Sequence, residues 1–252
     1  MQIGAFVLHL TRAEKRRANA HKLKNTSGLD AEIWPAVDGR ALPSSDIAEI
    51  LREQIFEPRY PFPLKTGEIG CFLSHRQIWA EIVRRGIPAG FIIEDDAGLE
   101  PGRFKNALTL AIDNIARLGY IQFQTRAPKE PRFLVDSAGG CALTVPQQGG
   151  LRTTAQMVSL EAAEHLLDLS RSIDRPVDTF VQSHWFTGLR PAVVYPSGVL
   201  EIGDTLDGST IQGGRKPLLE KLRRELSRGK YRNAVTRLSR HSEAPCRGGL
   251  HG

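Results

Sequence analysis

Residues 64–96 read LKTGEIGCFLSHRQIWAEIVRRGIPAGFIIEDD, and the end of this stretch decides the fold class. An apolar run, residues 89–93, sits between Gly86-Ile87-Pro88 and three consecutive acids, Glu94, Asp95 and Asp96. A short apolar run with those borders predicts a buried strand rather than a helix. In open α/β sheets, ligands bind beyond the carboxyl ends of strands. Clustered acids there repel one another unless a cation or hydrogen bonds neutralise them. Positions two apart on a strand share a side, so Glu94 and Asp96 can converge where Asp95 cannot. Oxygen donors suit a hard divalent ion, Mn²⁺ or Mg²⁺, which would neutralise a phosphorylated substrate. The stretch therefore predicts a metal-dependent enzyme acting on a nucleotide or another diphosphate. The plainer alternative is a set of acids that caps the following helix.

Outward from this stretch, strands and helices alternate, which argues for an α/β fold. Strands are predicted at residues 3–10, 31–37, 120–124, 155–158 and 192–195, the last being the final strand. Helices are predicted at 12–24, 46–54, 67–85, 101–117, 160–170 and 179–186, with Ser159 a candidate N-cap. Pro58, Pro61 and Pro63 predict a stiff extended connection. Residues 125–153, with Gly139-Gly140 and Gly149-Gly150, read as an irregular, partly stranded excursion of the kind that carries acceptor contacts.

At 252 residues and 40% hydrophobic, the chain can bury a substantial core. No run approaches the roughly 20 apolar residues of a membrane helix, and residues 3–8 are too short for the apolar region of a signal peptide. Cys71, Cys141 and Cys246 lack metal-type spacing in the sequence and leave one thiol over under any pairing, so a reducing cytoplasm is expected. The net charge of +6 is uneven. Residues 215–252 hold 11 Lys/Arg against 3 Asp/Glu, a local +8, leaving −2 for residues 1–214. This predicts a near-neutral domain over 1–214 followed by a basic, partly helical tail over 215–252. Leu218, Leu219, Leu222 and Leu226 recur at helical spacing among Lys221, Arg223 and Arg224. Such a helix can lie on an anionic membrane surface or pack on the domain. One aromatic, Tyr231, and no nucleic-acid motif speak against nucleic acid as a partner.

Several landmarks occur together. The segment GEIGCFLSH at 67–75 precedes EDD by about twenty residues, FVLHLTRAEKRR opens the chain, Ala36-Val37-Asp38-Gly39 follows, and Pro176-Val177-Asp178 comes later. In this order they resemble glycosyltransferase family 25, the lipopolysaccharide galactosyltransferase-like and procollagen galactosyltransferase-like enzymes. The resemblance covers about residues 3–211. It implies a GT-A-like fold with a mixed central sheet, and inverting transfer of a hexose, usually galactose, from a UDP-sugar. The acceptor would be a lipopolysaccharide or another surface glycan or glycolipid, at the cytoplasmic membrane face.

The same resemblance gives the candidate residues their roles. Glu94 and Asp96 look like the family's version of the metal-holding DXD motif, and Asp95 would face the ribose or neighbouring backbone. Arg12 and Arg16 share one helical face at four-residue spacing and would lie near the nucleotide, where a guanidinium binds phosphate or stacks on a base. Asp38, Ser74 and His75 fall on the nucleotide side, with His75 able to donate to a phosphate or to position an acid. Arg76 interrupts the apolar face of its helix and calls for an anionic partner. Asp178 reads either as a helix N-cap or as the general base that takes the acceptor proton. Position 9, usually Asn in the family, is His9, and Gln156 stands where Tyr is usual. The competing readings are a nucleotidyltransferase, for which LHLTRAEKR lacks the Gly-rich loop, and a non-catalytic protein of the same fold.

Overall fold

The computed structural model describes residues 2–128, 131–206 and 218–250. The chain opens with β1 (Ile3–His9), α1 (Glu14–Thr26), β2 (Ala31–Pro35) and α2 (Ser44–Ile50). The decisive stretch becomes α3 (Thr66–Arg85) and β3 (Ala89–Glu94), followed by β4 (Ala97–Leu99), α4 (Pro101–Leu118) and β5 (Tyr120–Phe123). A hairpin of β6 (Pro131–Ala138) and β7 (Cys141–Pro146) leads to β8 (Ala155–Ser159), α5 (Leu160–Leu169), α6 (Val177–Gln182) and α7 (His184–Thr187). The chain ends with β9 (Ala192–Tyr195), β10 (Val199–Glu201), α8 (Gly203–Leu206) and α9 (Leu218–Arg240).

Eight strands form one mixed sheet in the order β2-β1-β3-β8-β5-β9-β7-β6, and β10 and β4 form a small second ribbon. This is the mixed central sheet expected from the sequence. Strands β2, β1 and β3 are parallel, and β8 then runs antiparallel to β3. Leu8 of β1 lies opposite Glu94 of β3, so both strands end at the same edge. The two-residue period of β3 distributes its side chains between two cores. Phe91 and Ile93 pack with Leu23 of α1 and with Phe104 and Ile115 of α4. Ile92 joins Phe72 and Trp79 of α3, Leu166 of α5 and Phe180 of α6. By the same period Glu94 falls on the α3 face.

The loop after β2 is fixed to α3 by direct backbone packing. A Cβ on Gly39 would overlap the Thr66 carbonyl, and one on Gly70 would lie 2.6 Å from the Val37 oxygen. The Ser74 hydroxyl donates to Gly70 O at 2.7 Å and accepts the Val37 N–H at 2.8 Å. Glu68 Oε2 accepts the Lys65 N–H at 2.7 Å at the start of the helix, and Gly86 ends it with φ 62°. The small residues of GEIG and of Val37-Asp38-Gly39 thus let two chain segments touch without side chains between them.

Several local expectations change. Residues 125–153 are more regular than expected, because β6 and β7 form a hairpin that joins the sheet through β7 and β9. Gly139 and Gly140 turn it with φ of 57° and 78°, and two register shifts mask its alternation in the sequence. The helix expected at 179–186 is two helices broken at Ser183. β9 is not the last strand, since β10 follows it. Ser159 caps α5 as expected, accepting the Ala162 N–H at 3.1 Å. Asp178 is not an N-cap: α6 begins one residue earlier, with Pro176 at that position.

The expected boundary at 214/215 falls outside the described residues, as do the side chains of Leu218, Leu219 and Leu222. Leu226 is 60% exposed. Farther along, Val235 and Ser239 of α9 and Ala244 beyond it are buried. His184 of α7 bonds the Ser242 hydroxyl at 2.7 Å and the Gln147 carbonyl at 2.9 Å. The C-terminal half of the basic segment is therefore docked on the sheet domain.

Candidate active site at the strand ends

Strand β3 ends at Glu94, so Asp95 and Asp96 lie in a turn rather than in the strand. Alternation stops there, which changes the expected division of the acids. Arg16 Nη1 of α1 lies 3.2 Å from Asp95 Oδ1 and 3.0 Å from Asp96 Oδ2, bridging the two residues expected to diverge. Asp95 is buried and also bonds His9 Nδ1 at 2.7 Å. Asn19 clamps the turn from α1, donating to the carbonyls of Asp95 and Ala97 at 2.8 Å each. Burial, with repulsion from Glu94, pushes the Asp96 carboxyl up to about 6 despite Arg16. Asp96 is therefore a carboxylate with less positive charge around it than its ionised form needs.

Arg12 donates from Nε to Asp38 Oδ2 at 2.6 Å, and the Arg40 amide reaches Asp38 Oδ1 at 3.0 Å. Against its burial penalty, these contacts hold Asp38 below the ordinary carboxylate range. Arg12, just before α1, thus holds Asp38 of the loop after β2, and Arg16 of α1 holds Asp95 and Asp96 in the turn after β3.

Glu94 turns to the other side. Its Oε1 accepts Thr153 Oγ1 at 2.8 Å and lies 3.3 Å from His75 Nε2 and 4.0 Å from Cys71 Sγ. Burial works to raise Glu94, but His75 and Thr153 hold it below its usual value. His75 is fully buried, and its Nδ1 lies 2.7 Å from Gln156 Nε2 on β8. Burial, reinforced by Glu94 and Asp178, pushes the Cys71 thiol up. Ser74, the neighbour of His75, is occupied by the backbone contacts described above. Arg76 meets the Ser170 carbonyl at 3.1 Å rather than an acid.

Asp178 stands in the first turn of α6. Its Oδ1 accepts the Thr179 N–H at 2.7 Å, and its Oδ2 accepts the Arg152 N–H at 3.1 Å. Arg152 holds φ at 84° and pairs with Glu201 of β10. A non-glycine residue there is strained, and such strain clusters at ligand sites. Asp178 also acts electrostatically on Cys71 and on Tyr120, whose hydroxyl is raised first by burial.

Cys71, His75 and Glu94 place one donor atom each within 4.8 Å of one another, the metal-type grouping found among the described residues. Asp96 is not part of it. Thiol, imidazole and carboxylate together favour a softer ion than Mg²⁺, and a neutral thiol is a poor ligand for either. A hard ion needs one or two carboxylates, water and substrate phosphates. Asp96 is such a carboxylate, and Glu94, held on the His75 side, is near enough to repel it.

Several buried polar atoms around these groups have no partner among the described residues: His9 Nε2, Arg16 Nε, Tyr120 Oη, Gln122 Nε2 and Gln156 Oε1. Each calls for a polar partner, since an unmet buried group costs about 1–3 kcal/mol. Sequence reading passed over Cys71, Tyr120, Gln122 and Thr153. Cys71 and His75 are four apart on one helix face, and Gln122 and Gln156 interrupt otherwise apolar strands, so both signals were present.

Strand-end acids, two arginines and buried polar atoms without a described partner make the carboxyl ends of β1 and β3 a candidate ligand site. The family model that matches residues 2–181 is described as glycosyltransferase family 25 (LPS biosynthesis protein). The chain belongs to this family. It is 33% identical over 171 residues to procollagen galactosyltransferase 2 of Homo sapiens, covering 64% of this chain and 27% of that protein. A glycosyltransferase 25 family member of Drosophila melanogaster is 33% identical over 186 residues, covering 70% of this chain and 29% of that one. The chain spans less than a third of the length of these curated relatives. Among solved structures, a glycosyltransferase involved in the glycosylation of the major capsid of PBCV-1 aligns with a TM-score of 0.34. The identity is 13%, over 67% of this chain and 65% of that one. The fold assignment stands on the sheet itself.

Proposed function

We propose that the chain is an inverting hexosyltransferase that moves a sugar, galactose first among the candidates, from a UDP-sugar to a lipopolysaccharide or other surface-glycan acceptor. The observation that carries this reading is the strand-end acid turn, with Arg12 and Arg16 on one side and unpaired neutral donors on the other. The guanidiniums would meet the donor diphosphate, displacing part of their present contacts with Asp38 and Asp96. The unpaired atoms of Gln122 and Gln156 would bond hydroxyls of the transferred sugar. Mn²⁺ or Mg²⁺, held by Glu94 and Asp96, would supply counter-charge to the leaving diphosphate. Asp178 is the general base of this reading. A carboxylate offers about four acceptor positions. Three are taken by the Thr179 amide and hydroxyl and the Arg152 amide, which orients the carboxylate and leaves room for one acceptor O–H. His75, between Glu94 and Gln156, positions Glu94.

The test is UDP release from a panel of UDP-hexoses with and without Mn²⁺, and with EDTA. Metal-dependent release with one preferred donor supports the reading. Release unchanged in EDTA removes the metal from it, and no release from any UDP-sugar overturns the transferase assignment.

The proposal extends to location, with the enzyme peripheral on the inner face of the cytoplasmic membrane. Arg223, Leu226, Lys230, Arg237 and Arg240 are exposed on α9, a combination suited to anionic lipid. No described helix is long and apolar enough to cross a membrane. Flotation with vesicles containing anionic lipid should show binding that weakens with salt. Equal binding to neutral vesicles removes this part.

A further inference from the structure

Helix α9 meets the domain in two chemically different ways. Val235, Ser239 and, beyond the helix, Ala244 are buried against it. One to three turns earlier, Arg224, Arg228 and Tyr231 share a stripe that faces the proline-rich connection between α2 and α3 and stays half-exposed. Tyr231 meets Tyr60 edge to face, with ring centroids 5.6 Å apart, and Tyr60 meets Phe62 in the same way at 5.8 Å. The guanidinium carbons of Arg224 and Arg228 lie 4.9 and 5.6 Å from the centre of the Phe62 ring. Glu225 pairs with Arg228, and Arg175 Nη1 lies 3.5 Å from the Tyr231 hydroxyl.

This cluster adjoins the proposed base. Burial raises both Tyr60 and Tyr231, the latter to about 12, and Asp178 adds to the rise in each. Arg175, which reaches the Tyr231 hydroxyl at 3.5 Å, is three residues before Asp178, so the cluster borders the segment that carries the proposed base. Half-exposed aromatic rings offer apolar faces and a wet edge, the complement of a pyranose ring with its C–H face and its hydroxyl rim. A guanidinium stacked on a ring keeps its N–H edge outward and ready for a bidentate anion. Docking alone needs neither feature, and the contact at 235–244 manages without them.

We propose that Tyr60, Phe62, Tyr231, Arg224 and Arg228 form the acceptor subsite, and that it selects a sugar carrying a phosphate monoester or a carboxylate. The acceptor ring would lie against Tyr60 and Tyr231 with its hydroxyl toward Asp178 and its anionic group on the two arginines. This rests on the transferase reading with Asp178 as base. It goes further in placing acceptor choice on α9, beyond the residues 2–181 matched by the family model.

The experiment measures binding rather than turnover, so it separates from that reading. Glucose, glucose 6-phosphate and glucuronic acid are titrated onto the full chain with saturating UDP, by ligand-observed NMR. At least one anionic sugar should bind about tenfold more tightly than glucose, as expected for two half-exposed charge pairs, and the advantage should shrink as salt rises. R224Q/R228Q should remove the advantage and leave glucose binding unchanged. Arg224→Lys and Arg228→Lys, which keep the charge but lose the fork, should retain part of it. The phosphate and carboxylate arms identify the anion. Equal binding of all three sugars, or an anion advantage that survives R224Q/R228Q, overturns the inference. If R224Q/R228Q does not fold, an advantage unaffected by salt and by both Lys variants does the same. Absence of UDP release from every donor would instead count against the transferase reading alone.

Discussion

The two sides of the acid turn differ in how their charge is met. On the α1 side, Asp38, Asp95 and Asp96 face Arg12 and Arg16, and His9 completes the set. On the α3 side, Glu94 and Asp178 are met by His75, Thr153, Thr179 and the Arg152 amide. Among the described residues no Lys or Arg side chain bonds either of them. On the first side each acid meets an arginine before any ligand arrives. The second carries negative charge beside polar atoms that no described residue pairs. A diphosphate needs cations to receive it, whereas a hydroxyl to be deprotonated needs a carboxylate that is not already paired.

The largest effect expected from breaking this division is at Asp96, which touches both sides. Asp96→Asn should lower turnover by about 10³-fold, the scale of a lost charge-stabilising group. The amide still accepts from Arg16, and the substitution removes repulsion with Glu94 and Asp95, so the metal-free variant should melt no lower than the parent. A variant that keeps full turnover would show that the acids are scaffolding. Next comes Asp178→Asn, expected to cost about 10²-fold in kcat with UDP affinity unchanged. Asn can still accept from Thr179, but its amide can oppose the Arg152 N–H, adding about 1 kcal/mol of instability. Unchanged kcat with the natural acceptor would move the base elsewhere.

Much of this division can be read in the sequence, and the unread part has physical causes. The strand-end acids, the buried run of β3 and the capping of α5 by Ser159 depend on local pattern. The orientation of Asp95 and Asp96 does not, because it turns on where the strand stops, and alternation cannot reveal its own end. Glu94 was placed with Asp96 by spacing. In the fold its Oε1 is held by Thr153, 59 positions later in the chain, a partner that topology alone supplies. Tyr60 and Tyr231 likewise meet only through the docking of α9.

Uncompensated charge can also be created by acid, which gives a third test at the C-terminal dock. Burial, aided by nearby Arg190, lowers His184 to about 4. The folded state therefore resists a proton that the unfolded segment accepts at its ordinary value near 6.5. Stability is complete above about pH 6.5 and declines as pH falls toward 4, by roughly 3 kcal/mol for a shift of this size. Hydrogen exchange in α9 should quicken over that interval. His184→Gln, which can bond the Gln147 carbonyl without titrating, should flatten the response. Equal pH dependence in both proteins would assign the effect to carboxylates instead.

The smallest effect separates two neighbours on α3. Ser74 and His75 were both expected on the nucleotide side, but only His75 reaches the acids, through Glu94. The Ser74 hydroxyl is buried between Gly70 O and the Val37 amide, and both partners are backbone. Ser74→Ala should therefore cost about 1 kcal/mol of stability, since it strands the Val37 N–H, with little change in kcat or in KM for the donor. Asp38 would be affected only through a looser loop, visible as a small rise in donor KM. A tenfold fall in kcat at unchanged melting temperature would place the hydroxyl in the site. The α3 side of the comparison would then extend to the loop that carries Asp38.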